Sequence, residues 1–267
     1  MSLRPEWICG LLEPDAYPHA VSGLQLIETH ISWVFLTGEY VYKVKKPVDL
    51  GFVDFSTLER RKFFCEEELR LNQRTSRHLY LDIVPIGIVN GSPKVGLQPA
   101  ADYAVRMRQF PADARLDRRL EAGGVEAEDL QKTASMLAEF HAQLPAKTGI
   151  APALAMKKAS QPAFDNFLHF TGDHISKDSR RQIESIEAWT LKQAALLEPA
   201  FKQRAHQGFI RECHGDLHLA NLFEQDGRIY PYDCLEFNPD LRWIDQVNDI
   251  AFLVMDLMAR ERTDLAY

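Results

Sequence analysis

Through the first 110 residues apolar and polar positions alternate, and beyond that they recur at helical spacing. Residues 4–23 carry several prolines and read as an irregular or short helical lead-in. From Leu24 the pattern becomes β-rich: Leu24 to Ile27, Ile31 to Leu36, a turn at Thr37-Gly38-Glu39, then Tyr40 to Lys45. Short alternating runs bounded by turn residues predict an antiparallel meander of three strands. Strand side chains alternate, so Lys43 and Lys45 share a face. Lys43 sits inside its strand and Lys45 adjoins Lys46-Pro47 at the end. Ser56-Thr57-Leu58-Glu59 fits a capping box, in which Ser and Glu satisfy free amide donors at a helix start. The helix it opens runs to Leu71, and Glu68 lies about a turn from Phe64, Cys65 and Leu71, at the border of the apolar face. Glu67 is nearly as well placed, and periodicity does not separate the two. Ile83 to Val89 reads as a strand with an Asn90-Gly91 hairpin signal, and Asp102 to Phe110 as another, ended by Pro111. Five strands and one long helix give a β-rich domain over residues 1–110.

From Pro111 the signal is helical. Leu130, Ala134, Leu137, His141 and Leu144 mark a core helix, with His141 read as a packed core histidine. Residues 145–162 carry Pro145, Pro152 and Pro162 and read as a connection. A helix around 164–170 follows, then a longer one from about Gln182 to Arg204, bent or broken near Pro199. Residues 111–267 are thus a mainly helical second domain, and the fold class is α+β.

Composition narrows the function classes. The 267 residues are 46% hydrophobic and 26% charged, as in a soluble globular protein. A formal net charge of −7 argues against broad nucleic-acid or anionic-membrane binding, which needs a basic face. No apolar run approaches a membrane span, and no signal-peptide core opens the sequence. Cys9, Cys65, Cys213 and Cys234 are scattered without a Cys-x-x-Cys pair and read as reduced thiols, implying a cytoplasmic location.

The chemistry concentrates in Cys213-His214-Gly215-Asp216-Leu217-His218-Leu219-Ala220-Asn221, with Asp233 downstream. Phosphoryl transfer needs a carboxylate beside the attacking hydroxyl and oxygen ligands for the cation that accompanies the nucleotide phosphates. A catalytic loop of the form His-x-Asp-Leu-x-x-x-Asn supplies both, with Asp as base and Asn as metal ligand. His214, Asp216, Leu217 and Asn221 fall on that pattern, with Gly215 where protein kinases carry Arg. The run Arg228 to Tyr232 then delivers Asp233, a hard oxygen donor suited to magnesium. A zinc cluster of His214, Asp216 and His218, as in a hydrolase, is an alternative that leaves Asn221 and Asp233 without a role.

His-Gly-Asp-Leu-His, followed by Asn and a strand ending in Asp, resembles the aminoglycoside phosphotransferase and choline kinase group, which is similar in fold to protein kinases. The resemblance implies a two-lobed protein-kinase-like fold, a small antiparallel sheet lobe beside a larger helical one, with ATP and Mg2+ as cofactors. It implies that Lys43, favoured over Lys45, holds phosphate oxygens, with Glu68 orienting it. It implies that Asp216 is the base for the hydroxyl of a small polar acceptor, that Asn221 and Asp233 bind magnesium, and that backbone around Arg108 to Phe110 bonds the adenine. Asp249 would hold the catalytic loop from behind; Arg242 and Asp245 read as structural. No Gly-x-Gly-x-x-Gly covers the phosphates, and amides of the Glu28-Thr29-His30 turn, or the Ser32 hydroxyl, would substitute. No Gly-x-x-x-x-Gly-Lys-Ser/Thr loop occurs, which excludes a P-loop kinase over these residues. Cys234-Leu235 stands where a protein kinase has Phe-Gly, and no Ala-Pro-Glu follows, so a protein acceptor is not expected.

A narrower likeness joins Tyr42-Lys43-Val44-Lys45-Lys46-Pro47, Leu50 to Phe55 and Tyr232 to Phe237 to a bacterial aminoglycoside-phosphotransferase-like group. In that group a P-loop kinase domain often follows in the same polypeptide. Its members continue with further helices, whereas Tyr267 falls inside what reads as a helix begun near Ile250, so truncation of the helical lobe is an open expectation. The absent glycines leave a second class open, a nucleotide-sensing or partner-binding module without activity.

Overall fold

A computed structural model describes residues 5–147, 160–161, 163–168, 170 and 175–267 of the chain. Its described contacts divide into two compact units. One holds the described residues up to Ala134 together with Asp216–Asn238; the other holds those of Ser135–Gly215 together with Pro239–Tyr267.

The first unit is built on an antiparallel sheet of β1 (Gln25–Glu28), β2 (Ser32–Leu36), β3 (Tyr40–Lys45), β4 (Tyr80–Val89), β5 (Ser92–Val95) and β6 (Ala100–Arg108), in the order β1-β2-β3-β6-β4-β5. The sheet has six strands rather than the five expected from sequence. The Asn90-Gly91 turn, with both residues at positive φ, returns the chain as β5, whose run Ser-Pro-Lys-Val is too short to stand out by alternation. Alternation along the strands feeds two cores. Trp33, Phe35, Tyr42 and Val44 pack with helix α1 (Glu6–Gly10), Leu11 and Tyr17 on one face. Val41, Val105 and Met107 pack with Cys65, Leu79, Tyr80 and Phe223 on the other. The lead-in, read as irregular or short helical, contains the short helix α1 and packs on one sheet face.

Helix α2 (Leu58–Asn72) packs on β4 and β6 and buries Arg61, Cys65, Glu68, Leu71 and Asn72, which recur at helical spacing. The buried stripe of α2 is thus largely polar, which is why apolar periodicity left Glu67 and Glu68 unresolved. The expected capping box is corrected. The N-cap is Thr57, whose Oγ1 accepts from the Arg60 amide at 3.3 Å, while Ser56 Oγ donates to Asp54 at 2.6 Å. Asp54 draws Ser56 away from the helix end.

In the second unit the helix Lys177–His206 starts at the Ser176 cap and continues through Pro199, so of the expected bend or break there the break is corrected. Proline removes one amide donor, and the neighbouring turns hold the helix across that gap. Strand Ile210–Glu212 pairs antiparallel with Trp243–Asp245. The Asp245 side chain caps helix Gln246–Ala259 and takes a bidentate bond from Arg204, both arms at 2.7 Å. That helix ends at Ala259, and Thr263–Ala266 is a separate short helix, so Tyr267 does not lie inside a helix begun near Ile250. Residues 163–168 are helical as expected; of the expected connection 145–162, residues 148–159 and 162 lie outside the described residues. No helix among the described residues is long and apolar enough to cross a membrane.

Candidate active site

Lys43 lies on the central strand β3, opposite Val34 of β2 and Val105 of β6, so pairing on both sides fixes where its side chain points. Its Nζ sits 2.8 Å from Glu68 Oε1 and 2.5 Å from Asp233 Oδ1. Two residues along the same face, Lys45 Nζ lies 2.8 Å from Glu68 Oε2 and also contacts Glu236 Oε1, 4.9 Å from the centre of the Phe55 ring. Each oxygen of Glu68 therefore lies at ion-pair distance from one ammonium, and Oε2 accepts a hydrogen bond from Lys45. Glu67, the other candidate, turns outward and pairs with Arg70 at 2.8 Å.

The segment carrying Asp233 is gripped by side chains that sequence did not single out. Asp233 stands at φ 59°, a left-handed conformation that Asp tolerates better than most residues, and its amide donates to Tyr80 Oη at 3.0 Å. The Cys234 amide donates to Asn72 Oδ1 at 2.9 Å, and Ser76 Oγ donates to the Pro231 carbonyl at 2.5 Å. Glu68, Asn72 and Ser76 are spaced by four, so one face of α2, continued past its end, holds the loop.

Electrostatics follow the contacts. Burial alone would lower the Lys43 pKa, but Asp233, Glu68 and Glu236 together raise it well above the usual lysine range. Burial likewise opposes ionisation of Glu68, yet its two ammoniums hold it below the ordinary carboxylate value. Glu236 has one direct ammonium contact, and burial pushes it up. Lys43 and Lys45 against Glu68, Asp233 and Glu236 leave a formal charge of −1.

Lys43, Asp233 and Glu236 of this cluster border a cavity of about 530 Å³, within the size range of small-molecule sites, lined by residues of the first unit alone. Lys43, Asp216, Asp233 and Glu236 supply its charged wall, and Val34, Val41 and Met107 its apolar one. Arg108 and Phe110 also line it. The amides of Arg108 and Gln109 donate to Leu79 O and Glu39 O, each at 2.9 Å, and the Phe110 ring stacks on Phe223 at 4.4 Å. Lys45 is fully buried and is not among the lining residues, so its ammonium meets carboxylates rather than the cavity. Ser32 also lines the cavity and is fully buried, and its Oγ has no hydrogen-bond partner among the described residues. A buried hydroxyl without a partner is unfavourable unless a bound molecule supplies one.

Asp216 and Asn221 are joined: Asn221 Nδ2 donates to the Asp216 carbonyl at 2.9 Å and to its Oδ2 at 3.1 Å. Asp216 faces the cavity, and Asn221 is buried beside it without lining it. His218 Nδ1 accepts from the Ala220 amide at 3.2 Å, so this ring shapes the loop. Within the second unit, Asp249 accepts from the amides of His214 and Gly215, both at 2.8 Å, and meets His141 Nε2 at 3.1 Å. Both amides immediately precede Asp216 in sequence. His141 is buried as expected, though its ring partners a carboxylate. Among the described residues, the one group of three His, Cys or carboxylate side chains with ligand atoms within 4.8 Å is His141, Cys213 and Asp249. The trio His214, Asp216 and His218 is not such a group among the described residues, although His218 Nε2 lies 3.6 Å from Asp216 Oδ2.

Glu236 is a cavity-lining carboxylate that sequence reading did not single out, although a signal existed. Two lysines on one strand face with one glutamate leave an ammonium short of a buried partner, and Glu236 lies three residues beyond Asp233.

No protein-family model matches the chain. Uncharacterized proteins of Mycobacterium tuberculosis and Mycobacterium bovis are 32% identical to it over 241 residues, covering 89% of this chain and 46% of each relative. The chain thus spans about half the length of the curated relatives it matches. Among solved structures it is similar to a thermostable mutant of aminoglycoside phosphotransferase APH(4)-Ia, with TM-score 0.44 and 14% identity over 91% of this chain and 77% of that one. It is also similar to a choline/ethanolamine kinase family protein from Mesorhizobium loti, with TM-score 0.43 and 11% identity over 94% and 70%. Spectinomycin phosphotransferase APH(9)-Ia in complex with ADP and spectinomycin gives TM-score 0.44 and 10% identity over 100% and 87%. These proteins are small-molecule phosphotransferases, the group that the His-Gly-Asp-Leu-His motif resembles.

Proposed function

We propose that this chain is an ATP- and magnesium-dependent phosphotransferase acting on a hydroxyl of a small polar molecule. The observation that carries the reading is Lys43: one ammonium between Glu68 and Asp233, on the wall of the cavity that Asp216 also faces. A lysine, an orienting glutamate and a second carboxylate at one cavity are the set that kinase-type phosphoryl transfer uses. The donor set fits a nucleotide with its cation. Asp233 and Asn221 offer hard oxygens suited to magnesium, and the buried Ser32 hydroxyl can donate to a phosphate oxygen.

In this reading Lys43 binds phosphate oxygens while Glu68 fixes its direction. Asp216 accepts the proton of the acceptor hydroxyl as that oxygen bonds the γ-phosphorus, and the bond to the bridging oxygen breaks, releasing ADP. Asn221 holds the Asp216 carboxylate through its amide. Magnesium, when bound, neutralises charge on the phosphate oxygens. With the Arg108 and Gln109 amides engaged, Phe110 is the backbone position of that segment left to meet adenine. The location proposed is cytoplasmic, and a P-loop kinase domain is the proposed companion in a longer polypeptide.

Thermal-shift measurement with magnesium plus ATP, GTP or neither tests binding, since a ligand of the native state raises its apparent stability. Asp216→Ala is expected to keep the nucleotide shift and lose turnover. ATP turnover unchanged in Asp216→Ala would overturn the assignment.

A further inference from the structure

The five charged groups at the cavity form one continuous run, Asp233–Lys43–Glu68–Lys45–Glu236. It begins and ends on the same segment, three residues apart. Lys43 and Lys45 alternate on β3, and a spacing of two strand residues, roughly 7 Å, lets one strand face grip both ends of that segment. The two ends differ in exposure: the Asp233 side chain is 43% exposed, whereas Glu236 is 4% and Lys45 is 0%. Asp233 is open to exchange with a ligand, whereas Glu236, although it lines the cavity, is held by the buried Lys45.

We propose that Lys45 and Glu236 are positioning residues: they lock the segment Asp233–Glu236 and Glu68 in place while Lys43 exchanges Asp233 for phosphate. The inference rests on the phosphotransfer reading of the same site. Asp233 cannot serve a cation fully while Lys43 sits 2.5 Å from it, so the ammonium must turn toward phosphate as the nucleotide enters. A buried carboxylate that loses its ion-pair partner is strongly destabilised. Were Lys43 the sole partner of Glu68, drawing it toward phosphate would weaken that carboxylate's pairing. Lys45 on the opposite oxygen removes the conflict, and its grip on Glu236 keeps the Asp233 carboxylate at the cavity. The backbone bonds from Asp233 to Tyr80 and from Cys234 to Asn72 hold the segment between the two ends.

The test uses the full chain carrying Lys45→Met, Glu236→Gln, or the double change Lys45→Met with Glu236→Met. The ADP-induced thermal shift is titrated with magnesium and compared with the same titration in EDTA. Each single variant is expected to raise the magnesium half-saturation concentration about tenfold or more, as loss of a partner behind a metal ligand does. The double variant leaves neither Lys45 nor Glu236 without the other, while Glu68 keeps Lys43 alone, so it is expected to recover part of the melting temperature lost by the singles while keeping the raised magnesium requirement. Should a single variant fail to fold, the double variant carries the comparison. A half-saturation unchanged from the native chain, or a double variant that recovers both properties, would overturn the proposal alone. A native chain with no magnesium-dependent shift would overturn the phosphotransfer reading and this inference together.

Discussion

Lys43 and Asp233, 190 positions apart in sequence, meet at 2.5 Å. The strand meander and α2 face the segment carrying Asp233 there, and the consequences for Lys43 and its neighbours can be measured.

Lys43→Met is expected to abolish the nucleotide-dependent thermal shift while lowering the melting temperature less than Glu68→Ala does. The reason is that Glu68 keeps Lys45, and Asp233 is exposed enough to be hydrated. A full nucleotide shift in Lys43→Met would remove this lysine from the site.

Glu68→Ala leaves two ammoniums short of a buried partner, a loss of about 3–5 kcal/mol when one member of a buried pair is removed. Glu67→Ala removes only a partly exposed contact with Arg70, at most about 1 kcal/mol. Urea denaturation of both variants checks the ranking; equal losses would reverse the assignment of the inward glutamate.

The stability contributed by Asp249 is expected to depend on pH. Burial alone would raise its pKa, but the His141 contact, the charge of His214 and the two loop amides bring it below the ordinary aspartate value. A carboxylate lowered by folding adds stability in full above its unfolded pKa, about 3.9, and loses it as pH falls through the folded value. The gap in unfolding free energy between native chain and Asp249→Asn should therefore be wide at neutral pH and shrink below about pH 4. A gap constant across that range would show that the carboxylate charge contributes nothing.

Gly215→Ala should lower stability by more than about 1 kcal/mol. Gly215 stands at φ +88°, and an added Cβ would meet the Leu241 carbonyl at 2.9 Å, so both conformation and space reject a side chain. A melting temperature equal to that of the native chain would count against this strain.

The legible part of this protein is what local spacing encodes. The meander of β1 to β3, the helix after it and the Asp216–Asn221 loop follow from alternation and a five-residue interval, because each is set by near neighbours. The Ser56 cap was misplaced because an aspartate two residues earlier competes for its hydroxyl. The break at Pro199 was overread because one missing donor does not end a long helix.

Sequence by itself determined that Lys43 and Lys45 share a face and that Asp216 stands five residues before Asn221, since both are properties of a short backbone stretch. Tertiary structure alone decided which lysine borders the cavity, that Glu68 rather than Glu67 turns inward, and that Glu236 completes the charge run. Those choices depend on pairing buried charges between different elements, and local periodicity carries no information about a partner 23 residues away, as Lys45 is from Glu68, or 191 away, as Glu236 is from Lys45.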